Sequence, residues 1–210
     1  GYYWLDGVRS QLEHLIQQNS DIALFAVAAG NGGLDIDDDR TGGSSIYGGG
    51  VASLQTNSAN VIAVGALRPG SSSNQWNQSA EGIKTVNQLI NATEVNLADY
   101  SNRGASLTLV APTDAPSMNR FGDLDYFGGT SAANPNMAAI ASLVWSVNQT
   151  LTATQLRQLL IDTATDLGNS GKDTTFGHGL VNADGAVRRA VALNRNQQLA
   201  SLFTGRSEFA

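Results

Sequence analysis

The chain has 210 residues, 41% of them hydrophobic and 14% charged, which fits one domain with a sizeable core rather than a charge-driven disordered chain. Twelve basic residues against 18 acidic ones leave a net charge of −6, the wrong sign for a duplex nucleic-acid binder. There is no cysteine, hence no disulfide framework, thiolate metal site or thiol nucleophile. The longest apolar run, residues 22–29, is far short of the ~18–20 residues that cross a bilayer, so no membrane insertion is expected.

Val8, Leu12, Leu15 and Ile16 recur at helical spacing, predicting a helix that ends near residue 18 at Asn19-Ser20-Asp21. Residues 22–29 form a continuous apolar run that stops at Gly30, the pattern of a strand buried on both faces. Residues 31–60 read as a Gly- and Asp-rich loop, and Val61-Ile62-Ala63-Val64 as a second buried strand. The polar stretch 70–96 reads as a surface insertion. It carries Asn-x-Ser/Thr sequons at Asn77 and Asn91, with a third at Asn148, which matter only in a eukaryotic secretory setting. A third strand is expected over 107–110, ended by Ala111-Pro112.

The remainder reads as helical. Residues 132–147 mix alanines with Met137, Ile140, Leu143, Val144 and Trp145, as a closely packed central helix does. Thr152-Ala153-Thr154-Gln155 has the form of a capping box, followed by an inner face of Leu156, Leu159 and Leu160 and a stop at Gly168. A last helix is expected over 183–193, and residues 194–210 read as a polar tail. Strands alternating with helices predict an α/β domain built on a mostly parallel sheet.

Two short segments carry chemistry. Gly128-Gly129-Thr130-Ser131-Ala132-Ala133-Asn134-Pro135 opens the central helix. A first helical turn has unpaired N–H groups and partial positive charge, and these stabilise an anion forming on an attacked carbonyl. The plain alternative is that Thr130 or Ser131 only caps the helix. Ala28-Ala29-Gly30-Asn31 ends the first strand, where a carboxamide can donate to an oxyanion. The plain alternative there is an ordinary Gly-Asn turn.

Taken together these segments resemble the subtilisin-like serine proteases, the subtilases. The likeness extends to Asn60-Val61-Ile62-Ala63-Val64-Gly65-Ala66, to Ala98-Asp99-Tyr100-Ser101-Asn102-Arg103-Gly104 with Leu109-Val110-Ala111-Pro112, and to Phe176-Gly177-His178-Gly179-Leu180-Val181-Asn182-Ala183. Five co-linear motifs between residues 28 and 183 carry it, and the resemblance covers roughly residues 8–191. The resemblance implies a three-layer fold, with a mostly parallel sheet flanked by helices. It implies a serine endopeptidase acting on a peptide or protein substrate, secreted or at the cell surface, with no cofactor needed for the chemistry. It makes Ser131 the nucleophile and Asn31 the oxyanion donor, with the N–H of Ser131 as second donor. Ala28, Ala29 and Gly30 become the wall of the pocket for the side chain before the scissile bond, with Gly129 and Thr130 against the substrate. Departures lie at Ala132, where methionine is common and alanine suits the kexin-like branch, and at Thr113, Asn134 and Asn136.

A serine hydroxyl needs a base, and the base needs an orienting acid. The chain has two histidines: His14 sits inside the first helix pattern and His178 in the turn before the last helix. Neither lies in a motif like that of the family, and Asp6 stands too close to the first strand to be the family's aspartate. The expectation is that residues 1–193 are the C-terminal part of a catalytic domain, with the first strands and the Asp and His upstream, and that the isolated chain is inactive. A catalytically degenerate peptide-binding or scaffold module is the competing reading. Asp35, Asp37, Asp38 and Asp39 place four carboxylates within five residues. Three readings of them stay open: a structural Ca²⁺ site at Asp35, Asp37 and Asp39, a solvated acidic loop, or a pocket for basic side chains. A calcium-dependent adhesion module built on that loop is the third, weaker reading of the whole chain.

Overall fold

The structure is a computed structural model that describes residues 3–38, 58–69 and 95–204. In chain order it contains α1 (Tyr3–Gln18), β1 (Phe25–Ala28), β2 (Val61–Pro69), β3 (Val95–Leu97), β4 (Leu109–Pro112), β5 (Ala115–Met118) and β6 (Leu124–Phe127). The helices α2 (Thr130–Val147), α3 (Ala153–Asp162) and α4 (Ala183–Thr204) follow. Asp39 and most of the insertion over 70–96 lie outside the described residues.

The sheet is organised around β2. Parallel β1 pairs Phe25 with Val61 through Ala28 with Val64. Parallel β4 pairs Val64 with Leu109 through Leu67 with Pro112. Antiparallel β3 pairs Leu67 with Leu97. A short antiparallel ribbon of β5 and β6 stands apart. The run Val61–Leu67 is buried throughout because both faces are covered, as in parallel sheets generally.

Period-two alternation divides the core. Ile62, Val64, Ala66, Leu109 and Ala111 face one way and pack with Met137, Val144, Leu156, Leu160, Ala186 and Ala190 from α2, α3 and α4. On the other face Val61 meets Ile16 of α1, while Leu67 and Val110 meet Ile36, Leu107 and Leu167 from loops. Helices, sheet, then α1 with packed loops make three layers, the α/β architecture expected of the sequence.

Several boundaries differ from the sequence pattern. The first strand is shorter than 22–29, because the N–H groups of Ile22 and Ala23 turn back to the carbonyl of Asn19 and Ile22 is 72% exposed. The second strand runs on to Pro69, since its far end gains β3 as a partner. The third begins at Leu109, and Thr108 instead joins the edge of the sheet through its N–H to Ala63. The capping box is as predicted, with Thr152 accepting from the N–H of Gln155 and Gln155 answering the N–H of Thr152. That helix stops at Asp162, ahead of Gly168. The last helix continues past 193 to Thr204, because Asn194 donates to the carbonyl of Val147 and Gln197 accepts from the Thr150 hydroxyl.

Candidate active site at the carboxyl edge of the sheet

β1 delivers its last residues to the carboxyl edge of the sheet, where ligand sites of open α/β sheets occur. Ala29 donates its N–H to Val64 and is fully buried in the second core layer. Ala28 keeps part of its surface. Gly30 then turns with φ 101°, a left-handed conformation that favours glycine, and Asn31 emerges exposed.

The loop that follows is held by a residue for which sequence reasoning assigned no role. Asn102 is completely buried. Its Oδ1 accepts the N–H groups of Gly32 at 2.9 Å and Leu34 at 3.0 Å, and its Nδ2 donates to the carbonyl of Ala29 at 3.0 Å. Its own N–H donates to Gly30. One carboxamide therefore satisfies three backbone groups of the 29–34 corner. Beside it, Ser101 accepts the N–H of Ala66 and ties the same turn to β2.

From the other side comes the N-terminus of α2. Gly129 is its N-cap, at φ 83°. Its carbonyl accepts the Thr113 hydroxyl at 2.9 Å, and its N–H donates to the Tyr100 hydroxyl at 3.1 Å. Thr130 is buried and bridges the two segments. Its hydroxyl accepts the N–H of Gly30 at 3.2 Å and donates to Asn31 Oδ1 at 2.9 Å, while its N–H donates to the same oxygen at 2.8 Å. A backbone N–H can only donate, so the atom facing Thr130 is the carboxamide oxygen, and Nδ2 is the end of Asn31 with hydrogens to offer. A Cβ on residue 129 would lie 3.0 Å from that Nδ2. The glycine thus allows the amide to rest against the helix cap.

Ser131 follows Thr130 and is exposed. The N–H groups of Ala132 and Ala133 both go to the carbonyl of Gly129, and that of Thr130 goes to Asn31. Among the described bonds of this first turn, the N–H of Ser131 has no acceptor. Pro135, inside α2, has no N–H to return to the carbonyl of Ser131 one turn back. The structure therefore brings Asn31, Gly30, Gly129, Thr130 and Ser131 together at one corner. Ala28 stands just behind it, and the Ala29 side chain belongs to the core.

The histidines are elsewhere. His178 donates its N–H to the carbonyl of Thr108 at 2.8 Å, near the amino edge of the sheet. The step along the chain from Thr108 to Thr113, which holds Gly129, spans roughly 16 Å at ~3.3 Å per residue. Burial first, then the charges of Lys172 and Arg157, push the His178 pKa below its ordinary value. His14 is exposed on α1, close to Ile16, whose carbonyl accepts from Asn60 just before β2 begins. The backbone of both histidines thus lies toward the amino edge of the sheet, and among the described bonds none joins either ring to Ser131.

In the acidic loop, Asp37 accepts both the N–H and the hydroxyl of Ser106, and Asp35 Oδ1 accepts the N–H of Asp37 at 2.9 Å. A Cβ on Gly104 would fall 2.5 Å from Asp35 Oδ1 and 2.6 Å from Asp37 Oδ2, so both carboxylates close over that glycine. Among the described residues no three carboxylate or histidine donors converge as a metal site would need. The third proposed ligand, Asp39, is outside them. By themselves Asp35 and Asp37 do not form a calcium cage.

The family profile described as "Subtilase family" matches residues 6–179. Alkaline elastase YaB of Bacillus sp. (strain YaB) is 43% identical over 94 residues, covering 44% of this chain and 24% of that protein. Subtilisin DY of Bacillus licheniformis is 39% identical over 98 residues, covering 44% of this chain and 33% of that protein. The crystal structure of a lanthipeptide protease superposes with a TM-score of 0.58 at 20% identity, over 86% of this chain and 54% of that one. The matches thus span about a quarter to a third of those two relatives and about half of the solved structure.

Proposed function

The chain belongs to the subtilase family, and from that premise we propose that it is the serine-bearing part of an endopeptidase that cleaves peptide or protein substrates. The observation that carries the reading is the pair of bonds from Thr130 to Asn31 Oδ1. They hold a carboxamide at the N-terminus of the helix on which Ser131 stands.

In this reading Ser131 Oγ attacks the scissile carbonyl. The negative charge that forms on its oxygen is met by the N–H of Ser131 and by Asn31 Nδ2, two donors fixed before the reaction begins. The helix N-terminus adds partial positive charge. The amine leaves, an acyl group remains on Ser131, and water removes it. Subtilases need no cofactor for this chemistry, and no step here is routed through a metal. A structural calcium at Asp35, Asp37 and Asp39 is a separate proposal, and calorimetry with Ca²⁺ on an Asp37→Ala/Asp39→Ala protein checks it.

The proton of Ser131 needs a base that neither His14 nor His178 supplies among the described bonds. The proposal therefore includes an upstream part of the same catalytic domain that brings the aspartate and histidine. Secretion or surface placement is likewise part of the proposal. Among the described residues no helix is long and apolar enough to cross a membrane.

A phosphonate that labels activated serines tests the reading. Ser131 of the protein joined to its upstream part should label rapidly, and the 210-residue chain alone should label slowly or not at all. The competing reading is a degenerate module that binds peptides without cleaving them. Slow labelling of Ser131 in the joined protein would select that reading.

A further inference from the structure

Asn31 is followed by Gly32, and no other asparagine of the chain precedes a glycine. Such a pair is open to internal cyclisation. The backbone nitrogen of the second residue attacks the side-chain amide carbon of the first, and a glycine offers neither a Cβ nor a restricted backbone to oppose the approach. The N–Cγ bond forms and the Cγ–Nδ2 bond breaks. The nitrogen's proton departs with the amide as ammonia. Water then opens the five-membered imide at either carbonyl and leaves aspartate or isoaspartate. Asn31 and Gly32 are both exposed, so solvent reaches them.

In the folded chain both reacting ends are occupied. The N–H of Gly32 donates to Asn102 Oδ1 at 2.9 Å, and that acceptor is anchored by its further bond to Leu34 and by the bond from Asn102 Nδ2 to Ala29. The amide oxygen of Asn31 is clasped by the N–H and hydroxyl of Thr130. Cyclisation has to rotate the amide carbon toward the Gly32 nitrogen, which breaks the bonds to Thr130, and has to take the proton of that nitrogen, which ends its bond to Asn102.

We propose that Asn31-Gly32 is a latent deamidation site, held shut by Asn102 and Thr130. Its consequence rests on the oxyanion role proposed for Asn31. A carboxylate has no N–H to offer and repels the forming anion, so each conversion retires one active site irreversibly. The modification itself does not depend on that role and is read by mass alone.

The test is incubation of the full chain in mildly alkaline buffer, folded and in denaturant, followed by peptide mapping that separates asparagine, aspartate and isoaspartate. In denaturant Asn31 should convert ahead of the other asparagines, the exposed Asn169 included. In the folded chain it should be slower by at least on the order of tenfold, the scale that one or two partly buried hydrogen bonds confer. Gly32→Ala should suppress conversion in both states. Asn102→Ala should bring the folded rate toward the denatured one. If that variant does not fold, Thr130→Val frees the amide oxygen from the hydroxyl and should accelerate conversion in the same way. Equal rates in folded and denatured protein overturn the proposal. So does a folded Asn102→Ala or Thr130→Val protein that converts no faster than the parent. If conversion follows the expected pattern yet the converted chain, joined to its upstream part, keeps the rate of the unconverted protein, the catalytic role of Asn31 falls and the deamidation site stands.

Discussion

The carboxamide oxygen of Asn31 accepts the backbone N–H of Thr130 at 2.8 Å, across 99 positions of sequence. That bond decides which end of the amide is free. The oxygen is spent on the helix cap, and the nitrogen, resting against Gly129, is the end with hydrogens to donate.

Removing that donor should act on the transition state more than on binding. In the complete enzyme, Asn31→Ala is expected to lower kcat with little change in KM. The loss seen for such a donor in a subtilisin is about 10²–10³ in rate, and the same scale is expected here. Ser131→Ala should abolish phosphonate labelling. Steady-state kinetics on a chromogenic peptide read the first effect, and a rise in KM with kcat unchanged would count against the oxyanion role.

Thr130→Val keeps the side-chain shape and deletes the hydroxyl shared by Gly30 and Asn31. The N–H of Gly30 loses its acceptor at a partly buried corner, which should cost about 1–3 kcal/mol of stability. Because Asn31 is then held by one bond instead of two, kcat should fall as well. Urea denaturation and peptide hydrolysis on the same preparation measure the two together.

Asp37→Ala removes the acceptor of both Ser106 donors. A loss of about 1–2 kcal/mol is expected, on the scale of hydrogen bonds to a charged group in a partly solvated setting. In the presence of a chelator that loss reports the bonds to Ser106 alone. Thermal denaturation with a chelator and with calcium measures it, and a loss seen only with calcium present would instead support the metal proposal.

His178 carries a pKa below its ordinary 6.5 for reasons of burial and of the nearby Lys172 and Arg157. The unfolded chain then binds the proton more readily than the folded one. Stability should be fully present above the ordinary value, and should decline as pH falls from there toward the lower folded value. Urea midpoints between about pH 5 and 8 should show this slope, and His178→Gln should flatten it.

Local rules were legible where a short segment decides its own structure. Thr152 and Gln155 announce a capping box and form one. Gly129-Thr130-Ser131 announces a helix start and is one. The site's fixtures were not legible, because their partners are remote. Asn102 reaches Gly32 across 70 residues, and nothing in its neighbours Ser101 and Arg103 marks it as a buried clamp. The Tyr100 hydroxyl on Gly129 is of the same kind. The β5–β6 ribbon escaped notice because Ala115-Pro116-Ser117-Met118 carries a proline and no clear alternation. Residues past 193 read as a tail because their polarity is used to bond back onto the end of α2.

The clasp between Asn31 and Thr130 also has a kinetic side. It closes a loop of 99 residues, and closing so long a loop costs chain entropy that local contacts do not. This corner should therefore be a late arrival in folding. Nucleophilicity at this serine should lag behind the appearance of helix and sheet signals in a refolding experiment, making the chemistry itself a clock for the last step of assembly.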